Sequence, residues 1–140
     1  MTDSIHVDIV SAEGEIFSGA AKMVFLPAAE GEVGIAPRHA PLLTLLKAGE
    51  VRVQPVEGAE QSFYVGGGAL EVQPTRVTVL ADTALRAADL DEAAALGARQ
   101  RAEEALAGKI DRIEQAEAMA ELARAAAQLK LIQRLRKIRG

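Results

Sequence analysis

The sequence predicts an α+β fold in two segments: an N-terminal antiparallel β-sandwich or flattened barrel, followed by a C-terminal antiparallel two-helix hairpin. Residue distribution along the 140 positions indicates this division, since no aromatic residue follows Tyr64 and no proline follows Pro74. Alanine runs the other way and fills 17 of the 44 positions in 84–127. We therefore predict a β domain over 1–86 and a helical hairpin over 87–140.

The β domain is predicted from short alternating or apolar runs separated by turn residues. Pro27 is expected to end the second run, and Glu30–Gly34 to form a loop or a short strand. Lys47–Glu50 and Pro74–Arg76 are predicted hairpin turns. Several short strands without intervening helices favour a sandwich or barrel over a parallel sheet. The predicted strands cover 5–9, 22–26, 42–46, 51–53, 61–65, 69–73 and 77–81.

The helical hairpin is predicted from the change to helical spacing after Asp89. Asp89 is expected to cap the first helix, with Glu92 three positions later, and Gly108 to end that helix. The second helix is predicted from about residue 110 to about 138. Its apolar stripe is predicted to be Met119, Leu122, Ala126, Leu129, Ile132 and Leu135.

Alanine dominates the predicted contact between the two helices. Alanine favours helix but buries little apolar surface, so we expect a helical element that packs weakly. This composition suits an element that detaches and binds elsewhere. An organism with alanine-rich proteins would produce the same pattern without that function.

Composition excludes several classes of protein. The chain has no cysteine, which excludes disulfide frameworks, thiolate zinc sites and cysteine nucleophiles. The net charge of −4 argues against nucleic acid as a partner. No apolar run approaches the length of a membrane span, and the first residues do not resemble a signal peptide.

Charge is unevenly distributed and leaves one cationic end. Residues 1–88 hold six basic and eleven acidic side chains, whereas 128–140 hold five basic side chains and no acidic one. A basic end on an acidic protein indicates an acidic partner surface. The alternative is a solvated helix end whose cations interact with the helix dipole.

Few residues suggest catalysis. His6 lies in an alternating run and is interpreted as a half-exposed strand residue, whereas His39 lies in a loop without residues that would complete a triad. Gly66–Gly68 lacks the Lys-Ser/Thr ending of a phosphate loop and is interpreted as a tight strand junction. Glu30 and Glu32 could form a carboxylate pair, but a solvated loop is favoured. No metal site is predicted.

The residues alone therefore indicate a module that is not an enzyme, with a β platform and a mobile helical part. One alternative is a free-standing adaptor whose hairpin binds another helical protein. A second alternative is a small hydrolase that uses His39.

An ordered set of segments closely resembles the epsilon subunits of bacterial F-type ATP synthases. The resemblance covers essentially the whole chain and continues through Leu90–Ala93 into the alanine-rich part. The segments are Val10–Glu13, Ile16–Gly19, Glu30–Ile35, His39–Thr44, Gly66–Gly68, Leu70–Gln73 and Val77–Asp82.

The resemblance implies a non-catalytic central-stalk subunit that turns with gamma in a proton-driven rotary enzyme. It implies that the sandwich binds gamma and the ring of c subunits, with the ring contact at Glu32, Val33, Gly34 and His39. The expected location is the cytoplasmic face of the bacterial inner membrane, where the protein is peripheral and held by the complex.

The resemblance also implies that the hairpin inhibits ATP hydrolysis when it extends into the catalytic head of alpha and beta subunits. The basic face that would meet an acidic segment of beta is expected at Lys130, Arg134, Arg136, Lys137 and Arg139.

One position departs from the family pattern. Some members bind ATP on the hairpin through Ile/Leu-Asp-x-x-Arg-Ala, and here Ala94 replaces the arginine. A methyl group cannot make the bidentate phosphate contact of a guanidinium. Asp91, Arg99 and Arg101 remain as a degenerate nucleotide site. We therefore expect no cofactor, and ATP binding that is weak or absent.

Overall fold

The computed structural model describes residues 3–139 and divides into two compact units, Met1–Ala87 and Ala88–Gly140. This boundary lies one residue from the predicted one. Over the described residues the first unit has seven strands and the second has two α-helices, which confirms the predicted fold class. The strands are β1 Ile5–Ser11, β2 Gly14–Ala28, β3 Gly31–Ile35, β4 Leu42–Pro55, β5 Gln61–Gln73, β6 Arg76–Ala81 and β7 Ala84–Arg86.

The strands of the first unit pair in the order β1-β6-β5-β4-β2-β3, and β1 also pairs with β2. This extra pairing closes the sheet into a flattened barrel, which removes most unpaired strand edges. β1 and β6 are parallel, and the other pairings are antiparallel. Side chains of alternating positions fill the interior, among them Ile5, Val7, Ile9, Val24, Leu26, Ile35, Val51, Val53, Phe63, Leu70, Val77 and Val79.

Several predicted strand ends are wrong. β4 runs straight through Lys47–Glu50, because this segment stays paired with β5 from Leu42 opposite Val72 to Val53 opposite Gln61. Pro27 lies inside β2, at a shift of register between Phe25 and Ala28, where its missing N–H is tolerated. By contrast, the predicted turn after Gln73 is confirmed, since Gln73 pairs with Arg76.

Gly66–Gly68 lies within β5, which runs unbroken from Gln61 to Gln73, so the predicted junction between two strands is wrong. It is not a phosphate loop either. Gly67 and Gly68 have φ of 105° and 138°, which side chains rarely adopt. A Cβ on Gly68 would lie 2.1 Å from the carbonyl oxygen of Leu80. Glycine is therefore required here so that β5 and β6 can approach each other.

A short 3₁₀ turn, Ala87–Asp89, spans the boundary between the units. The second unit then contains helices α1 Glu92–Ala107 and α2 Arg112–Arg139. Asp91 caps α1, because its carboxylate accepts a hydrogen bond from the Ala94 amide at 3.1 Å. The predicted cap at Asp89 is therefore wrong. Asp111 caps α2 in the same way, through the Glu114 amide at 2.8 Å.

The two helices are antiparallel and pack largely through small side chains. Cross-helix ion pairs join Arg101 to Glu121 and Arg136 to Glu92, which defines the antiparallel pairing. The predicted contact through alanine is confirmed. In the predicted stripe on α2, Leu129 is buried and Leu122, Ile132 and Leu135 are half-buried, as expected. Met119 and Ala126 are wrong, because they are exposed while Ala118 and Ala125 are buried in their place. Among the described residues of the two helices, the buried ones are Ala95, Ala102, Ala118, Ala125, Leu129 and Leu131.

Candidate interaction surfaces

An exposed apolar patch lies on the outer face of the first unit. The run Leu42–Leu46 places leucines on both faces of β4, so Leu46 enters the core while Leu43 and Leu45 are 76% and 67% exposed. Leu45 pairs with Ala69, and Ala69 pairs with Leu80, which is also exposed. These residues therefore lie in one row across three strands, and exposed apolar patches of this kind mark interaction sites. We call Leu43, Leu45 and Leu80 the apolar patch.

A polar cluster lies on the neighbouring strands β1, β2 and β6. Asp8 accepts hydrogen bonds from Ser18 Oγ at 2.7 Å and from His6 Nε2 at 2.9 Å, and it forms an ion pair with Arg76. Burial raises the pKa of the Asp8 carboxyl, but the hydrogen bonds from Ser18 and His6 and the charges of His6 and Arg76 together lower it below its ordinary value. Asp8 is therefore held as a carboxylate at the centre of the cluster.

Ser18, His6 and Asp8 are not a catalytic triad. In a triad the serine and the aspartate bind different nitrogens of the imidazole. Here His6 Nε2 lies within 3.1 Å of Ser18 Oγ and 2.9 Å of Asp8 Oδ1, so one nitrogen faces both groups. The Ser18 hydroxyl also donates a hydrogen bond directly to Asp8. The cluster therefore connects three strands and cannot activate the serine.

The residues expected at the ring contact lie on β3 and in the loop that follows it. Glu32, Val33 and Gly34 are consecutive on β3, so successive positions face opposite sides of the sheet. Val33 packs against the core, whereas Glu32 is exposed and forms an ion pair with Arg52 at 3.2 Å. His39 is half-buried, and its Nδ1 donates to the carbonyl oxygen of Ala40 at 2.7 Å. Glu32 and His39 therefore each place a polar group in this region.

The cationic residues near the end of α2 do not share one side of the helix. Lys130, Arg134 and Lys137 follow the i, i+4, i+7 spacing and therefore lie on one side. Arg136 lies seven residues after the buried Leu129, so it faces α1, where Nη2 donates to Glu92 Oε2 at 2.6 Å. The side chain of Arg139 lies outside the described residues. We call Lys130, Arg134 and Lys137 the cationic side of α2.

The degenerate nucleotide residues are bonded to other groups of the hairpin. Asp91 is the cap of α1, and the amide that it accepts from belongs to Ala94, the position of the motif arginine. Arg99 forms an ion pair with Glu103 one turn later, at 3.6 Å. Arg101 forms an ion pair with Glu121 across the hairpin. All three charges are thus neutralised or used locally.

Three features were missed by sequence reasoning: the apolar patch, the Asp8 cluster and the role of Arg52. The patch had a signal, because the run Leu-Leu-Thr-Leu-Leu does not alternate in polarity and so predicts apolar residues on both faces. The Asp8 cluster and the Arg52 contacts had none, because their members lie up to 68 positions apart in the chain.

Two family models match this arrangement of a sandwich followed by helices. Residues 4–87 match the beta-sandwich domain of the ATP synthase delta/epsilon chain, and residues 88–133 match its long alpha-helix domain. The chain belongs to the ATP synthase delta/epsilon family. Its membership makes the chain a non-catalytic subunit of ATP synthase, which removes the hydrolase alternative.

Relatives in the delta/epsilon family match over nearly the full length of the chain. The ATP synthase epsilon chain of Nitrosococcus oceani is 66% identical over 100% of both chains. The epsilon chain of Alkalilimnicola ehrlichii is 61% identical over 96% of both.

Solved structures share the family fold. A chain in the Euglena gracilis mitochondrial ATP synthase structure, described as OSCP/F1/c-ring in rotational state 1, matches with a TM-score of 0.79 and 17% identity. The match covers 89% of this chain and 78% of that one. A chain from the central stalk and c-ring structure of Tetrahymena thermophila matches with a TM-score of 0.62 and 14% identity, over 91% and 96%. At these identities the likeness concerns the fold alone.

The described helices of this family member include none that is long and apolar enough to cross a membrane. Residues 3–139 also contain no group of three or more His, Cys, Asp or Glu side chains that could hold a metal ion.

Proposed function

We propose that this chain is the epsilon subunit of the central stalk in a bacterial proton-translocating ATP synthase. The sandwich connects gamma to the ring of c subunits, and the hairpin limits ATP hydrolysis by entering the head of alpha and beta subunits. The complex holds the chain at the cytoplasmic face of the inner membrane as a peripheral protein. Family membership and the full-length match to named epsilon chains support this proposal.

The apolar patch is the observation that carries the proposal. Leu43, Leu45 and Leu80 expose large aliphatic side chains side by side on a rigid sheet. Their exposure to water is unfavourable, so a permanent partner that covers them gains roughly 25 cal/mol for each Å² of apolar surface removed from water. A subunit that turns with gamma needs a stable contact of this kind, and we assign gamma to this face.

Co-purification with gamma tests this assignment. Leu43→Asp together with Leu45→Asp is expected to abolish recovery of the full-length chain with gamma, because two charges would be buried in the contact. Ile113→Asp is the matched control, since Ile113 is equally exposed but lies on α2. Normal recovery of the double variant with gamma would overturn the assignment, and normal tyrosine fluorescence would show that it is folded.

We assign the ring contact to β3 and the loop after it. Glu32 and His39 supply its polar groups, while Val33 and Gly34 shape the strand that presents them. The c-ring is thus proposed to meet a different part of the sandwich from gamma. This separation would let one small domain connect two rotor subunits.

We further propose that the hairpin inhibits hydrolysis through the cationic side of α2. Lys130, Arg134 and Lys137 are suited to an acidic segment of the beta subunits. The weak packing between alanines supports an element that can change position, because each Leu-to-Ala difference removes roughly 2.4 kcal/mol of burial at about 0.8 kcal/mol per methylene.

Truncation after Asp89 tests the inhibitory role. ATP hydrolysis by the assembled enzyme is expected to rise when the hairpin is removed. Reversal of charge at Arg134 and Lys137 is expected to relieve inhibition as well, and its effect should be larger at low salt because screening is weaker. Unchanged hydrolysis by the truncated enzyme would contradict the role.

A further inference from the structure

Arg52 lies between the proposed ring contact and an aromatic ring. It is on β4, opposite Phe25 on β2, and Phe25 is in turn opposite Gly34 on β3. The guanidinium carbon of Arg52 lies 4.4 Å from the centre of the Phe25 ring, and Nη2 lies 3.2 Å from Oε1 of Glu32. The Arg52 side chain is only 26% exposed, whereas that of Glu32 is 59% exposed. The Arg52 side chain is therefore largely buried against the sheet, whereas the Glu32 carboxylate that it binds is largely exposed.

Gly34 makes room for the aromatic ring. A Cβ at position 34 would lie 2.8 Å from Met23 Cε and 3.1 Å from Phe25 Cε1. Real Cβ atoms almost never lie within 3.0 Å of another atom, so a side chain here would displace Met23 and press on the ring. Phe25 thus lies close to the backbone of β3, and the Arg52 guanidinium lies over its ring.

The planar guanidinium is suited to both contacts at once. It can stack on an aromatic ring while its N–H groups bind a carboxylate, which an ammonium group does less well. Stacking limits the rotamers of Arg52, and the ion pair then limits those of Glu32. A side chain ordered before binding loses less entropy when a partner binds it.

We propose that Arg52 is a positioning residue, which fixes the Glu32 carboxylate in the orientation that the c-ring binds. This inference rests on the proposed ring contact at Glu32. Gly34 contributes to this arrangement, because the absence of a Cβ leaves room for Phe25.

A double-mutant cycle on the assembled enzyme tests the inference. F1 that contains each full-length variant is titrated onto membrane vesicles that hold the c-ring, and the half-saturating concentration is measured. Arg52→Gln is expected to weaken binding about threefold to tenfold, the range for one side chain left unordered. In the Glu32→Ala background the same change is expected to have no further effect, because the residue through which Arg52 acts is absent.

Two further variants serve as comparisons for the cycle. Arg52→Lys is expected to fall between the wild type and Arg52→Gln, since it keeps the charge but loses the planar group. Lys22→Gln is the control for loss of one exposed cation on β2. It is expected to bind as the wild type does.

The outcomes separate this inference from the ring contact. If Arg52→Gln weakens binding equally with and without Glu32, Arg52 acts by another route and the inference is overturned. If Glu32→Ala weakens binding and Arg52→Gln does not, the inference fails while the ring contact stands. Wild-type binding by Glu32→Ala overturns the ring contact, and this inference with it.

Discussion

Arg136 donates a 2.6 Å hydrogen bond from Nη2 to Oε2 of Glu92, which connects the end of α2 to the first turn of α1. The two residues are 44 positions apart, so the contact exists only while the hairpin is closed. Glu92 also places a negative charge in the first turn of α1, where the helix dipole favours it. One of the five cations expected on the inhibitory face is thereby neutralised within the hairpin.

Glu92→Gln is therefore expected to strengthen inhibition of ATP hydrolysis, because it frees Arg136 and weakens the closed hairpin. Both side chains are largely exposed, so the change should be about twofold to fivefold in the fraction of inhibited enzyme. ATPase assays of the assembled enzyme measure it. Glu103→Gln is the control, since Glu103 pairs with Arg99 on the same helix. Weaker inhibition by Glu92→Gln would contradict this view.

Gly68→Ala is expected to destabilise the sandwich by at least about 3 kcal/mol, from an unfavourable φ and a clash with Leu80. Denaturant titration followed by tyrosine fluorescence measures this, because Tyr64 is the sole tyrosine and the chain has no tryptophan. Gly19→Ala is the control, since its Cβ would make only ordinary contact with Phe17. It should change stability by less than about 1 kcal/mol. Equal stability of the two variants would be inconsistent with the close approach of β5 and β6.

Asp8→Asn is expected to destabilise the sandwich by about 1–2 kcal/mol at neutral pH, because charge-assisted hydrogen bonds are lost. The folded state lowers the pKa of Asp8, so its contribution is present above the ordinary pKa of an aspartate. It is lost progressively as the pH falls below about 4, the ordinary pKa of an aspartate, towards the lower pKa of Asp8 in the folded protein. Denaturant titrations of both proteins across this range should therefore converge towards acid pH. A constant difference would show that Asp8 acts through its shape and not its charge.

ATP is expected to bind the isolated full-length chain weakly or not at all. Ala94 offers no cation to phosphate, and Asp91, Arg99 and Arg101 are bonded within the hairpin. Calorimetric titration measures this, and Ala94→Arg is expected to increase the heat of binding by restoring the bidentate group. Binding of ATP by the unaltered chain in the micromolar range would disprove the prediction.

The strand pattern and the turn after Gln73 were predictable because they depend on neighbours in the chain. The turn predicted at Lys47–Glu50 was wrong because Ala-Gly is also the composition of a strand that passes closely over another. A Cβ on Gly49 would lie 2.8 Å from Pro27 Cβ, so the glycine is explained by a contact between strands and not by a turn. Local composition does not distinguish the two causes.

Two of the six residues predicted for the apolar stripe on α2 were placed one position too late for a related reason. Ala118 and Ala125 are buried, where Met119 and Ala126 were expected. In a helix with so many alanines the apolar periodicity is nearly the same on adjacent faces. The orientation is then decided by the partner helix, here with ion pairs from Arg101 and Arg136.

The sequence by itself determined the fold class, the two-part organisation, the family and the positions of the charged end. These properties follow from local periodicity, composition and ordered motifs. The tertiary structure alone decided that Arg52 reaches Glu32 across Phe25, that Asp8 joins three strands, and that Arg136 lies apart from the other cations. Such contacts depend on strand register and helix rotation, which are set when distant segments pack together.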